Sequence, residues 1–451
     1  MFENSIDINN DISVNEFYSK LNNVDLFKVN GRVVQVIGLI IESIGPNCHL
    51  GEICVVKSHE GEDICLAEVV GFRDNRVLSM KLGGSSKISP GSEIVATGKS
   101  FSVPVGKKLL GRIIDGLGNP IDGKGPIEYE EIRSIYAPPP NPLTRKRITE
   151  SISTGIRSID TLLTCGKGQR VGIFSASGVG KSVTLGMIAR NTTAQVNVIA
   201  LIGERGREVR DFIEGELKEG LNHSVVIVAT SDQEALVRLK ASFVATTIAE
   251  YFRDKEMSVM LLFDSVTRIA TAQREVGLAI GEPPTTKGYT PSVFALLPKI
   301  LERAGNSDKG SITGMYTVLV EGDDMNEPVA DNVRAILDGH IVLSRKLASS
   351  GQYPAVDVLQ SISRVISSIT TTEHRLAIQR FLELMATYKD AEDLVNIGAY
   401  VKGSNSKIDK SLANIDVMKS FLKQNSSEKT DFQQSVKKLI DMMNAAYKNV
   451  N

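Results

Sequence analysis

The sequence predicts an α/β protein with a small N-terminal β-barrel, a central doubly wound sheet and a C-terminal helical domain. Short β-rich runs broken by glycine occupy residues 31–102, whereas β-rich and helical runs alternate between residues 145 and 346. From about residue 370 the apolar residues recur at helical spacing. Strands that alternate with helices are typical of a mainly parallel sheet with helices on both faces. The chain has 451 residues, too many for one hydrophobic core, so we expect two or three domains.

The N-terminal end carries a predicted short helix, which the barrel strands follow. Residues 1–24 are polar and rich in asparagine, but Ser13 and Glu16 form a capping box ahead of apolar residues at helical spacing. Such a helix packs on its own domain or docks on a partner, and both interpretations stay open. Turn residues at regular spacing then favour a small barrel or sandwich. The predicted strands of this region are Arg32–Ile37, Glu52–Val56, Cys65–Val70 and Glu93–Ala96.

A proline-rich run leads into the central region. Ala137–Pro142 predicts a stiff, extended connector. Further along, a long helix is predicted over residues 233–253, and two C-terminal helices over Phe381–Tyr388 and Phe432–Met443. The strands predicted for the doubly wound sheet are Val171–Phe174, Val196–Ile202, Ser224–Ala229, Val259–Phe263, Met315–Val320 and His340–Leu343.

A phosphate-binding loop follows the first of these strands. Gly178 and Gly180 let the backbone turn tightly enough to aim several N–H groups at one point. Lys181 adds a mobile positive charge, Ser182 offers a hydroxyl to Mg²⁺, and the helix that starts there adds its positive end. The pattern usually begins with glycine and Ser175 stands there instead, but the strand before and the helix after support the match. The residues predicted to contact ATP in this loop are Ser175, Ala176, Ser177, Gly178, Val179, Gly180, Lys181, Ser182 and Val183.

Two acidic residues at strand ends complete the predicted chemistry. Asp264 ends an apolar strand and is expected to hold Mg²⁺, through water, opposite Ser182. Glu204 follows the strand Val196–Ile202, where a carboxylate can polarise the water that attacks the γ-phosphate, with Arg205 nearby for charge balance. Without the phosphate loop, the run that ends at Asp264 would indicate only a strand end, and the run around Glu204 would indicate only a solvated charged loop.

Charge and composition argue against several classes of function. Lys and Arg total 52 and Asp and Glu total 53, so no strong field favours nucleic acid or anionic lipid. The four cysteines show no paired spacing, which argues against a zinc site and favours reduced, cytosolic thiols. The sequence shows no signal peptide and no apolar run of bilayer length, so a cytoplasmic protein is expected.

Together the motifs resemble the hexameric ATPases that are related to the catalytic subunit of the rotary ATP synthase. Pro354–Ser363 matches that family's signature from end to end, and Gly203–Arg205 and Asp264–Arg268 agree with it. Asn396–Asn405 and Phe421–Gln424 look closer to the flagellar member of the protein-export ATPases than to the virulence injectisome member. Three further runs look like the protein-export ATPases of type III secretion, namely Ser177–Val183, Glu321–Pro328 and Ile336–Arg345.

The resemblance implies a RecA-like nucleotide-binding domain and a site shared between neighbouring subunits. Tyr353 stands where the family places an aromatic ring against adenine, although an ordinary core tyrosine is the alternative. Arg364 matches the arginine that crosses to the neighbour's nucleotide, where a guanidinium that neutralises γ-phosphate charge can contribute ~10³–10⁵ in rate. The implied assembly is a homohexamer. Its implied catalytic residues are Lys181, Glu204, Arg205 and Arg364.

The resemblance also implies cofactors, partners and a plan of the chain. ATP and Mg²⁺ are the expected cofactors. The expected partners are regulator or stalk-like export proteins, the export gate at the inner membrane and chaperone–substrate complexes, with no nucleic acid. The protein is expected to be cytoplasmic and peripherally associated with the export apparatus at the membrane. The expected segments are a partner-docking segment (1–25), a β-barrel domain (26–102), a connector (103–145), a P-loop ATPase domain (146–370) and a helical domain (371–451).

Several other functions share parts of this pattern. A nucleotide-binding structural subunit would lack the water-activating carboxylate that Glu204 supplies. An RNA-translocating hexameric helicase would carry a basic N-terminal domain with exposed aromatic residues, whereas Phe72 and Phe101 are the only Phe, Tyr or Trp residues in 31–102. The export-like motifs argue against a proton- or sodium-driven synthase subunit. An injectisome ATPase is the alternative to the flagellar interpretation.

Overall fold

The computed structural model describes residues 30–84 and 87–448. The chain divides into two compact units, of which the first ends at Lys99 and the second begins at Ser100. The helix predicted around Ser13 and Glu16 lies outside the described residues and stays a prediction, as do the predicted domain bounds. Within the described ranges, no helix is long and apolar enough to cross a membrane.

The first unit is a closed β-barrel, one of the two architectures that the sequence predicts. Its strands are β1 (Gly31–Ile37), β2 (Ile40–Ile44), β3 (Glu52–Lys57), β4 (Asp63–Arg73), β5 (Arg76–Lys81) and β6 (Glu93–Ser100). They close in the order β1-β2-β5-β4-β3-β6. Small and β-branched side chains such as Val56, Ala67 and Ile94 are fully buried inside it. The interior is therefore filled with side chains, as expected for a barrel of this size.

The second unit is built on a nine-stranded sheet in the order β19-β18-β12-β17-β15-β13-β14-β8, with β16 paired to β17. The strands from β18 to β8 are parallel, and β19 runs antiparallel at the edge. This confirms the predicted mainly parallel sheet. The strands of this unit are β7 (Ser102–Val105), β8 (Arg112–Asp115), β9 (Glu131–Ser134), β10 (Ser151–Ile152), β11 (Cys165–Gly166), β12 (Arg170–Ser175), β13 (Val196–Ile202), β14 (Ser224–Ala229), β15 (Ser258–Asp264), β16 (Gly305–Asn306), β17 (Ser311–Leu319), β18 (Gly339–Leu343) and β19 (Val356–Ser363).

Helices connect the parallel strands and then form the C-terminal end of the described chain. The predicted long helix is present and nearly all its residues are buried, which places it between the sheet and neighbouring helices. The helices are α1 (Arg157–Leu162), α2 (Lys181–Asn191), α3 (Gly206–Asp211), α4 (Ala235–Asp254), α5 (Val266–Ile280), α6 (Pro291–Leu301), α7 (Pro328–Ile336), α8 (Arg345–Ser349), α9 (Ile366–Ile369), α10 (Thr372–Asn396), α11 (Ser406–Leu422) and α12 (Phe432–Lys448).

Two features of the second unit were not expected from the sequence. Strand β8 lies within the segment predicted as a connector, yet it pairs in parallel with β14 and extends the sheet. The family signature over Pro354–Ser363 forms the antiparallel edge strand β19. Strand β8 has only four residues, so its hydrophobic pattern is too short to indicate a strand.

The C-terminal helices share a hydrophobic core with the sheet. Phe381 and Phe421, from α10 and α11, belong to the same buried cluster as Ile159 and Leu185, from α1 and α2. The ring nitrogen Nε2 of His374 donates a hydrogen bond to the carbonyl oxygen of Thr161 at 2.7 Å. The helical region is therefore packed against α1 and shares a buried core with the helix of the phosphate loop, and is not attached by a free linker.

Candidate active site

The phosphate loop connects β12, which ends at Ser175, to α2, which begins at Lys181. Gly178 and Gly180 adopt φ values of 80° and 89°. Residues with side chains rarely occupy this left-handed region, so both turns favour glycine. The loop delivers the chain to the N-terminus of α2, where free N–H groups and the helix dipole favour an anion.

The loop lysine lies between the two predicted carboxylates. Lys181 Nζ is 2.6 Å from Asp264 Oδ1 and 3.1 Å from Glu204 Oε1. The three side chains are at most 13% exposed. Strands β13 and β15 are parallel neighbours, so the carboxylates that follow or end them lie at the same edge of the sheet. The structure therefore brings together Lys181, Glu204 and Asp264, and their catalytic and metal-binding roles stay predictions.

Electrostatics keep this lysine charged. Burial alone would lower the pKa of Lys181, but attraction to Asp264 and Glu204 outweighs burial and holds that pKa above its ordinary value. Burial raises the pKa of Asp264, while the contacts from Lys181 and Thr317 act in the opposite direction. A charged ammonium group is thus fixed beside the loop that is shaped for phosphate.

Thr317 is a site residue that the sequence reasoning missed. It comes from β17, and its hydroxyl donates a hydrogen bond to Asp264 Oδ1 at 2.6 Å. The bond is fully buried, and the same oxygen of Asp264 also accepts from Lys181 Nζ, so two donors hold one carboxylate oxygen. Strand β17 also contains Ser311, Thr313 and Tyr316, so no local pattern in the sequence distinguishes Thr317 from these other hydroxyl residues.

The structure places Tyr353 beside the phosphate loop. A β-carbon added to Gly180 would lie 3.5 Å from Tyr353 Cε1, so the ring faces the loop's last glycine. The Tyr353 side chain is 48% exposed, which rules out the alternative of an ordinary core tyrosine.

Arg205 lies on the surface of the protein. Its side chain is 82% exposed, and its guanidinium pairs with Glu208 at 3.7 Å.

Arg364 lies at the opposite edge of the sheet from its own phosphate loop. In the antiparallel pair of β18 and β19, Val356 lies opposite Leu343 and Ser363 opposite Gly339. Leu343 is also the partner of Ser175, so β19 starts at the phosphate-loop edge and ends at the other. Strand β18 is about 13 Å long, at ~3.3 Å per residue, and this length separates Arg364 from the edge that carries the phosphate loop. Its exposed guanidinium donates to the carbonyl oxygen of Arg334 at 3.5 Å.

The donor atoms at the phosphate-loop edge of the sheet fit Mg²⁺. Ser182 presents an exposed hydroxyl in the first turn of α2, and Asp264 supplies a carboxylate. Magnesium prefers oxygen donors and is usually held by one or two protein groups together with substrate phosphates and water. Among the described residues, no group of three or more His, Cys, Asp or Glu is placed to hold a metal ion. A shared site of protein, phosphate and water therefore suits this edge better than an all-protein cage.

Comparisons with known proteins agree with this geometry. Three family models match: the β-barrel domain of the ATP synthase alpha/beta family over residues 33–98, its nucleotide-binding domain over 155–363, and the C-terminal domain of the T3SS EscN ATPase over 370–441. A flagellum-specific ATP synthase of Bacillus subtilis is 55% identical over 93% of this chain and 96% of its own length. A type 3 secretion system ATPase of Sinorhizobium fredii is 45% identical over 94% of each chain.

A solved structure extends the likeness to the fold. The assembled ATPase EscN from the type III secretion system of enteropathogenic E. coli superposes with a TM-score of 0.87 at 44% identity, covering 92% of this chain and all of EscN. These matches span the barrel, the sheet and the C-terminal helices. The chain therefore belongs to the ATP synthase alpha/beta family, in the branch of the flagellar and type III secretion ATPases.

Proposed function

We propose that this protein is an Mg²⁺-dependent ATPase that works as a homohexamer and powers type III protein export, in the flagellar system. The observation that carries the proposal is the contact of Lys181 with both Asp264 and Glu204 at the mouth of the phosphate loop. The flagellar assignment is supported by the 55% identity to the Bacillus subtilis relative, against 45% for the Sinorhizobium fredii secretion ATPase.

In the proposed reaction, the buried residues divide the work. Lys181 neutralises negative charge on the β- and γ-phosphates, and the backbone N–H groups from Ser177 to Ser182 bind phosphate oxygens. Glu204 orients the attacking water and accepts its proton. A bound Mg²⁺, held by Ser182 and Asp264, would supply further charge neutralisation. The exposed ring of Tyr353 offers an apolar face to the adenine base.

The proposed ring completes this site. Because Arg364 directly follows β19 at the far edge of the sheet, its guanidinium is available to a neighbouring subunit and not to its own phosphate loop. A guanidinium delivered across the interface stabilises charge that spreads over the γ-phosphate oxygens in the transition state. Arg205, exposed beside the site, is proposed to balance charge at the same interface.

The proposed work of the ATPase is chaperone release, unfolding and export of flagellar substrates. Its proposed partners are the export gate at the inner membrane, chaperone–substrate complexes and a stalk-like regulator. EscN has been solved in complex with its central stalk EscO, which supports a partner of that kind. The first 25 residues are proposed as the docking segment for the regulator.

Two measurements on the full chain test this function. Purified protein should release phosphate from ATP only with Mg²⁺ present, and chelation of the metal should abolish turnover. The gene should also restore motility to a strain that lacks its flagellar export ATPase. Absence of Mg²⁺-dependent turnover in assembled rings would refute the enzyme, and rescue of an injectisome strain but not of the flagellar strain would refute the flagellar assignment.

A further inference from the structure

The linker between α11 and α12, residues 423–431, is bound to the nucleotide-binding domain through the side chain of Gln424. Gln424 Nε2 donates to the carbonyl oxygen of Gly155 at 2.8 Å, and Gln424 Oε1 accepts from the backbone N–H of Arg157 at 2.8 Å. Nε2 also donates to the carbonyl oxygen of Glu428 at 3.0 Å, within the linker itself. Gln424 is only 6% exposed. A buried amide that is bonded at both ends allows the linker one position, because leaving these groups unpaired is costly.

The backbone of the same residue holds the tyrosine of the proposed base site. The N–H of Gln424 donates to the carbonyl oxygen of Tyr353 at 2.9 Å. The Tyr353 ring in turn faces Gly180 at the end of the phosphate loop. Since about half of this side chain is exposed, packing alone does not fix the ring, and its backbone anchor carries more of that task.

A second contact joins the linker to the helix of the phosphate loop. Arg190, in the last turn of α2, donates to the carbonyl oxygen of Ser426 at 2.8 Å. The linker therefore contacts both elements that flank the proposed nucleotide: the tyrosine on the base side and the helix that begins at Lys181.

We infer that Gln424 is a positioning residue for the nucleotide base. Its side chain fixes the linker of the helical domain, and its backbone N–H then fixes the position of Tyr353 beside the phosphate loop. The inference rests on the proposed function, in which Tyr353 packs against adenine, and adds the residue that sets affinity on the base side. The hydrogen bonds given above for Gln424 run to the linker, to the start of α1 and to Tyr353, not to the phosphate loop, so the triphosphate site should not sense its loss.

The test compares two ligands of the full-length chain, Mg-ATP and Mg-tripolyphosphate, which lacks the base. Gln424→Leu keeps the volume but removes the amide. We expect the dissociation constant for ATP to rise about three- to tenfold, the effect of one or two net hydrogen bonds, with tripolyphosphate affinity unchanged. In turnover assays KM for ATP should rise in proportion, while kcat stays near that of the unaltered protein. Equal losses for both ligands, or no change for either, would overturn the inference.

Two controls separate positioning from general damage. Thr430 also donates to the carbonyl oxygen of Gly155, at 3.0 Å. Thr430→Val therefore removes a bond to the same carbonyl without touching Gln424, and should leave ATP affinity within twofold. If Gln424→Leu does not fold, Gln424→Met, which also removes the amide at similar volume, should show the same loss of ATP affinity with tripolyphosphate affinity unchanged.

A double variant tests the route through the tyrosine. When Tyr353 is already replaced by Ala, Gln424→Leu should cause no further loss of ATP affinity, since the ring that it positions is absent. Fully additive losses would show that Gln424 acts by another route. Failure of the proposed function gives a different result, because the unaltered protein would then bind no ATP at all.

Discussion

Lys181 contacts two carboxylates that differ in their surroundings. Asp264 is the closer and more buried one, and Thr317 also binds the oxygen that Lys181 contacts. Glu204 is farther from the lysine, at 3.1 Å, and follows the end of its strand. Asp264 is therefore held by two donors at one oxygen, which suits a group that positions metal and lysine. Glu204 is less constrained, which suits a group that orients and deprotonates water.

Replacing Glu204 by Gln should separate binding from catalysis. The amide keeps the shape of the carboxylate but is a much poorer base, so ATP binding should persist while turnover falls by about 10²–10⁴. Binding of a fluorescent ATP analogue and steady-state phosphate release measure the two properties. Glu214→Gln is the matched control, because Glu214 is 64% exposed and pairs with the exposed Arg210, four residues before it in the chain. Full turnover in the Glu204 variant would remove this residue from its proposed role.

Thr317→Val tests the residue that the sequence reasoning missed. The change keeps the shape but leaves the buried Asp264 oxygen without its hydroxyl donor, a loss of about 1–3 kcal/mol in unfolding free energy. Turnover should also need more Mg²⁺, because Asp264 is no longer held in place. Denaturant unfolding and a Mg²⁺ titration of activity measure both effects. Thr246→Val, which removes a hydrogen bond within α4, should lower stability without changing the Mg²⁺ dependence.

At the scale of elements, the join between α10 and α1 should depend on pH. Burial lowers the pKa of His374 below its ordinary value of 6.5, so the folded protein prefers the neutral ring. The stability that this provides is present above about pH 6.5 and is lost as the pH falls below it. His374→Gln should keep a donor for Thr161 without titrating, and so should reduce the fall in melting temperature between pH 7.5 and 5.5. His340, whose pKa is also lowered, is unchanged in both proteins. An identical pH dependence in the variant would contradict this assignment.

The sequence predicts the elements with strong patterns and misses those that tertiary contacts define. Strands β13 and β14 have the predicted bounds, because both are mainly apolar runs that end where polar loops begin. Strand β8 is too short to show a pattern, and only its pairing with β14 makes it a strand.

The same limit applies to the candidate site. Lys181, Glu204 and Asp264 follow from a loop motif and two strand ends, which a parallel sheet necessarily brings to one edge. Thr317 and Gln424 reach the site from distant parts of the chain through single hydrogen bonds. No local pattern in the sequence marks such bonds, because the two partners meet only in the folded chain.

At the scale of the whole molecule, one chain holds the parts of a site at two opposite edges. The phosphate loop lies at one edge of the sheet and Arg364 at the other, so a ring of identical subunits can place each arginine beside the next phosphate loop. Turnover per subunit should therefore rise steeply with protein concentration as rings assemble. Activity measured across a dilution series, together with mass determination by light scattering, tests this. Constant specific activity in a demonstrated monomer would contradict it.

Subunit mixing tests the central claim, a site completed by the neighbour's arginine, most directly. Arg364→Ala and Glu204→Gln rings should each bind ATP and hydrolyse it slowly. In a one-to-one mixture, roughly a quarter of the interfaces combine an intact Glu204 with an intact Arg364, so activity should return to about that fraction of the unaltered ring. Mixing Glu204→Gln with the double variant should restore nothing, since no intact Glu204 is present. Rescue to about a quarter is the predicted result, and no rescue despite demonstrated exchange of subunits would contradict the account.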